Sequence, residues 1–168
     1  TAYDQPTLGA VYKLVAIEDE DGQLVDTIKI SNNVGKMSTP GKKQVWRIND
    51  RGDGKSEGDY ITLVDEDPRN EKSLNMFNPN FPIKQKDVED FTARPMLKPI
   101  WQDGKYVYDE PTLEESRQHR FDSLNALWDE YKRDLNPEVY PVDLSQKCYD
   151  NKLKLIHQVH EYVKSLNK

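Results

Sequence analysis

The residues best placed for chemistry in this 168-residue chain are lysines: Lys13, Lys29, Lys36, Lys42 and Lys43, the last three set around Pro40-Gly41. Ammonium groups held close together repel one another unless an anion or a carboxylate intervenes. Such a cluster therefore either is diluted in solvent or marks an oxyanion site. A Pro-Gly turn also presents backbone N–H groups, which bind phosphate oxygens without side-chain charge. On residue types alone, solvated surface lysines are favoured over the oxyanion site.

No other constellation competes with them. His119, His157 and His160 fall in helical patterns, and the spacing of the last two could place both on one helix face. Without a third ligand at helical spacing, a solvated helix surface is the reading adopted. The sequence contains no G-x-S-x-G elbow, no Walker loop and no G-x-G-x-x-G. Residues 53–57, DGKSE, lack EF-hand spacing and read as a turn. The run Glu18-Asp19-Glu20-Asp21 reads as a solvated hairpin tip. Cys148 stands alone among apolar helical positions, which makes it a packed thiol.

The lysines have to be positioned by strands. Residues 9–18, GAVYKLVAIE, and 24–30, LVDTIKI, flank Asp21-Gly22, a pair suited to the positive φ of a tight hairpin turn. Lys13 and Lys29 then lie on neighbouring strands, and the loop after Ile30 brings Lys36, Lys42 and Lys43 back towards the end of that pair. The KKQVWRIND and DYITLVDED runs alternate as half-buried strands do. Pro68–Pro82, with four asparagines and no clear period, reads as a surface connection. Residues 94–109 offer a further hairpin through Asp103-Gly104. Thr112-x-x-Glu115 has the form of a capping box. It should open a helix carrying Phe121, Leu124, Trp128, Tyr131 and Leu135 and ending near Asn136-Pro137. A second helix after Asp143 should turn Leu144, Cys148, Leu155, Val159 and Val163 inward.

The expected fold is α+β: short antiparallel strands over residues 9–67 and 94–109, then a two-helix tail. The expected division is 1–67, β-rich, and 68–168, with one hairpin and two helices. The chain is polar, with 35% hydrophobic and 32% charged residues and a mean hydropathy of −0.93, so its own core should be thin. A net charge of −6 argues against a general nucleic-acid surface. No apolar run reaches the ~18 residues of a membrane span, and no signal-peptide pattern opens the sequence, so a cytoplasmic setting is expected. The opening at Thr1 without Met, and a sheet short of partner strands, suit a fragment of something longer.

The stretches TAYDQPTLGAVYKLVAIE, IKISNNVGKMSTPGKKQVWRI, ARPMLKPIWQDGKYVYDEPTLEESR and LNPEVYPVDLSQKCYDNKLKLI resemble, in that order, the carboxy-terminal part of nicotinate phosphoribosyltransferases, especially the long bacterial form with a C-terminal extension. The resemblance implies a type II phosphoribosyltransferase: an irregular α/β barrel with a second domain built from both chain ends and an active site at a homodimer interface. It implies the joining of nicotinate to 5-phosphoribosyl-1-diphosphate, giving nicotinate mononucleotide and pyrophosphate in NAD salvage, with ATP hydrolysis, Mg2+ and a phosphorylated histidine.

The glycine-rich phosphate loop and the barrel strands bearing that histidine have no counterpart in this sequence. The piece should therefore be inactive alone, and no catalytic residue is assigned to it. In the related nicotinamide-using enzyme, lysines matching Lys13, Lys29 and Lys36 face phosphates, and Lys42 and Lys43 match more loosely. The resemblance thus turns the balance towards phosphate contact for Lys13, Lys29 and Lys36, with Lys43 included in the candidate site. The other reading is a free-standing β-rich binding module with a helical tail and no enzymatic activity.

Overall fold

A computed structural model describes residues 11–166. They fall into two compact units: first, the residues before Lys43 together with those from Asn151 onward, and second, Lys43–Asp150. This division follows a different line from the 67/68 boundary read from the sequence.

In the first unit, β1 (Ala16–Glu18) and β2 (Leu24–Asp26) form an antiparallel hairpin. The Asp19 carboxylate accepts from the amides of Asp21 and Gln23, and Gly22 takes φ 77°, as the expected turn requires. Both strands are shorter than expected, and the expected start at Gly9 and Ala10 lies outside the described residues. After Thr27 N–H donates to the Val15 carbonyl, the neighbouring backbone groups find other partners. Lys29 N–H bonds the Ser38 hydroxyl, Ser38 N–H returns to the Lys29 carbonyl, and Gly41 N–H takes the Val15 carbonyl. The loop around residues 38–41 thus satisfies groups that a longer ladder would have used.

The second unit is built on a six-stranded sheet. Its members are β3 (Lys43–Asp50), β4 (Ser56–Leu63), β5 (Ser73–Asn78), β6 (Phe81–Glu89), β7 (Phe91–Pro95) and β10 (Val142–Leu144), in the order β6-β5-β10-β4-β3-β7. A separate hairpin pairs β8 (Trp101–Gln102) with β9 (Lys105–Tyr106) through Asp103-Gly104, both at positive φ. The α+β class is as expected, but the Pro68–Pro82 stretch is not a plain surface connection. Leu74 and Met76 alternate inward on β5 with Asn75 facing out to bond Asp87, and the turn comes only at its end, where Asn78 accepts from the Asn80 and Phe81 amides.

The second departure is β10. Leu144, expected on the inward face of the second helix, instead ends a strand, Val142–Leu144, that runs parallel to β4 and touches β5 through Leu144 and Phe77. Gly58 makes the approach possible. It lies at φ +144°, and a Cβ there would sit 3.0 Å from Pro141 Cβ and 3.1 Å from the Pro141 carbonyl oxygen. Asp59 N–H then donates to Pro141 and Ser145 N–H to Ile61.

Strand alternation sorts the core. Trp46, Ile48, Tyr60, Leu74, Met76, Val88 and Phe91 bury one face, while Phe77, Leu144 and Cys148 gather on the other. Trp46 Nε1–H is satisfied by the Thr62 hydroxyl at 3.0 Å. Arg47 of β3 grips Asp59 of β4 through two bonds of 2.9 and 3.1 Å. The Tyr140 hydroxyl, paired with Ser56, donates to the same carboxylate.

Helix α1 (Leu113–Ala126) opens with the expected capping box: Glu115 N–H donates to Thr112 Oγ1, and Thr112 N–H to the Glu115 carboxylate. It stops well before Asn136. Leu127 is extended, and Lys55 Nζ takes the carbonyls of Asn125 and Leu127 that a continuing helix would have used. A short α2 (Asp129–Lys132) follows, and neither helix buries a residue, so the expected apolar stripe is not a core face within this unit. The last helix, α3 (Gln146–Leu166), is the expected second helix, but of its expected inward residues Cys148 is buried, Leu155 and Val159 are half-buried and Val163 is exposed. Among the described residues no helix is long and apolar enough to cross a membrane.

Candidate functional site

The hairpin register carries the lysines. Ala16 faces Asp26 and the Thr27–Val15 bond ends the pairing; Lys13 lies just before this paired stretch and Lys29 just after it, and both reach the same hollow. The chain then makes a short 3-10 turn, Val34–Lys36, that puts Lys36 beside them. Its shape is local in origin. Asn33 Oδ1 accepts from Gly35 N–H at 3.0 Å, and Asn33 N–H itself bonds the Ser31 hydroxyl.

Lys13 Nζ donates to the Gly35 carbonyl at 3.3 Å and so reaches across to the turn that bears Lys36. Lys13, Lys29 and Lys36 line one open hollow of about 570 Å³, with Val11, Tyr12, Leu14, Thr27 and Ile28 as its other walls. No carboxylate is among the lining residues. Three cations on one concavity, with no anion among the described residues that line it, favour an oxyanion there.

Not all the expected members meet there. Lys43 opens β3, opposite Leu63, and belongs to the other compact unit; Lys42 is exposed just before it. The Gly41 amide is spent on the Val15 carbonyl, so that N–H of the Pro40-Gly41 turn is not free for phosphate. The turn's role is conformational, with Gly41 at φ 89° and Pro40 buried.

Two contributors had no clear signal in the sequence. Ser38, 2% exposed, anchors Lys29 by two bonds, and the buried Thr27 hydroxyl beneath the hollow has no hydrogen-bond partner among the described residues. The apolar walls are unusually open: Tyr12 is 97% exposed, Val11 81% and Leu14 66%. A hollow with such walls is half of a site.

The three histidines do not form a centre. Among the described residues, no group of three histidine, cysteine or acidic side chains converges to hold a metal ion.

Comparison with known proteins bears on the same chain. Residues 42–152 match the family model described as the nicotinate phosphoribosyltransferase C-terminal domain. A nicotinate phosphoribosyltransferase of Bacillus subtilis (strain 168) is 51% identical over 159 residues, covering 95% of this chain and 32% of the relative. The nicotinate phosphoribosyltransferase of Caenorhabditis elegans is 32% identical over 151 residues, covering 89% of this chain and 26% of the relative. The crystal structure of human nicotinic acid phosphoribosyltransferase aligns with a TM-score of 0.60 at 25% identity, covering 73% of this chain and 23% of that one. The chain thus spans a third or less of the length of these relatives.

Proposed function

The chain belongs to the nicotinate phosphoribosyltransferase C-terminal domain family, and from that premise we propose that it works as part of an enzyme joining nicotinate to 5-phosphoribosyl-1-diphosphate, with release of pyrophosphate in NAD salvage. Within that enzyme the Lys13, Lys29 and Lys36 hollow faces phosphate oxygens, and the Lys43–Asp150 unit is scaffolding. The observation carrying the reading is that these three lysines share one concavity with no carboxylate among the described residues that line it.

Their role is electrostatic. As the ribosyl–oxygen bond breaks, negative charge builds on the departing pyrophosphate, and fixed ammonium groups stabilise it without accepting or giving a proton. Lysine suits this as a compact point charge. Lys13 is the best positioned of the three, because its bond to the Gly35 carbonyl aims it at the turn carrying Lys36. Lys43, at the start of β3, is kept as a separate candidate for phosphate contact, apart from this hollow.

The open walls at Val11, Tyr12 and Leu14 call for cover from the rest of the enzyme or from its dimer partner, so the isolated chain is inactive in this reading. ATP and Mg2+ serve the larger enzyme. The described residues offer no converging ligand set for the metal, which is therefore not assigned to them.

The test is steady-state pyrophosphate release by the full-length enzyme carrying Lys13→Ala or Lys36→Ala. Each should weaken use of 5-phosphoribosyl-1-diphosphate by more than about tenfold, the scale of one charge-assisted contact at ~1.5–3 kcal/mol. Unchanged kinetics in both variants would overturn the assignment of the lysines.

A further inference from the structure

A second hollow, unrelated to the lysines, lies within the Lys43–Asp150 unit. It is bounded on one side by β6 and on the other by the segment running from Tyr131 to Asp143. At its floor is Asp143 of β10, 6% exposed, whose carboxylate forms no hydrogen bond or ion pair among the described residues. The residue is buried although its carboxylate oxygens still reach the hollow, and a carboxylate held in so dry a position without a donor is costly.

The surroundings do not explain it away. Register places Asp143 beside Tyr60 on β4. Lys86, the nearest cation, is committed elsewhere: its ammonium lies 2.6 Å from Glu57 Oε2 and 2.5 Å from the Glu57 carbonyl. Lys84 is on the β6 wall of the hollow and forms no ion pair among the described residues. The remaining walls are Asn78 and Gln85, which are polar, and a set of apolar and aromatic residues. Tyr131 and Tyr140 stand edge to face at 5.4 Å, Met76 lies on the floor, and Phe81 and Val139 form a rim 65% and 88% exposed.

We infer that this hollow is a binding site for an organic cation, an ammonium or guanidinium group on a short apolar stem, with the Asp143 carboxylate as its anionic floor. The charged head would supply the donors that Asp143 lacks, which are worth most where water is excluded. The aromatic pair offers ring faces and edges to the head, while Phe81 and Val139 cover the stem. The same chemistry is presented by a free small amine and by a lysine or arginine side chain.

The experiment titrates the full chain with n-butylammonium and, separately, with n-butanol, following the Asp143 carboxyl carbon and the Met76 methyl by NMR. Saturable shifts with butylammonium and none with butanol are expected, and Asp143→Asn should weaken the response by about tenfold or more. Equal responses to the two probes, no saturation, or an unchanged response in Asp143→Asn would overturn the assignment. The two-probe comparison on the unmodified chain decides the matter even if Asp143→Asn fails to fold. An acetylated, amidated Gly-Lys-Gly peptide then separates the sources. Tighter binding of the peptide identifies a protein side chain as the occupant, and tighter binding of butylammonium a small molecule; either result supports the site.

Discussion

Replacing Arg47 by Met puts a number on what joins β3, β4 and the approach to β10. Arg47 and Asp59 are 19% and 17% exposed, directly opposite in register, and joined by two bonds of 2.9 and 3.1 Å. The Tyr140 ring lies 5.6 Å from the Arg47 guanidinium, and the Tyr140 hydroxyl donates to Asp59 at 3.2 Å. Arg47→Met keeps most of the stem but leaves the Asp59 carboxylate with one neutral donor in a largely dry position. Breaking a buried pair from one side costs about 3–5 kcal/mol. With about a fifth of each side chain still wet, the lower end applies, so about 3 kcal/mol is expected. Asp59→Asn should cost about 2 kcal/mol, because the amide keeps one acceptor. The double variant should cost less than the two combined by about 1–2 kcal/mol, since each removes the same interaction. The assay is urea denaturation of the four proteins followed by tryptophan fluorescence. A loss below about 1 kcal/mol for Arg47→Met, or additivity within about 0.5 kcal/mol, would refute the view that this pair ties the strands together.

Three further outcomes are expected. Gly58→Ala should destabilise the fold by more than about 1 kcal/mol through its positive φ and the close Pro141, seen as a lower urea midpoint; an unchanged midpoint would mean that β10 does not depend on that approach. Lys55→Met should leave the Asn125 and Leu127 carbonyls at the end of α1 without their donor, costing about 1 kcal/mol and speeding amide exchange in the last turn of that helix. Burial holds the Asp143 carboxyl above its ordinary value, with Lys86 opposing the effect, and Lys84, Glu57 and the neutral phenol of Tyr60 complete its surroundings. A raised folded-state value means that full stability is present below the ordinary carboxylate range and is lost as pH rises through the folded value. Asp143→Asn should therefore raise the urea midpoint at pH 7, with the gain fading below about pH 4.

Local signals in this chain were legible because each is settled by neighbouring residues. Asp21-Gly22 and Asp103-Gly104 turn where those pairs permit positive φ, and Thr112 with Glu115 starts α1 by satisfying each other's backbone groups. The lysine hollow was half legible. The hairpin that carries Lys13 and Lys29 on its two arms follows from Asp21-Gly22, but the part played by Ser38 depends on a loop folding back over the strands.

What the amino-acid order determined by itself was the α+β mixture, the hairpins, the helix start and a concentration of lysines early in the chain. Tertiary structure alone decided that Val142–Leu144 enters the sheet between β4 and β5, that the helix breaks at Leu127 before the short α2, and that Lys13, Lys29 and Lys36 share one hollow while Lys43 opens a strand of the other unit. The physical reason is the same in each case: a three-residue strand, a helix end held by Lys55, and a group of like charges all owe their state to partners distant in sequence, which no local pattern encodes.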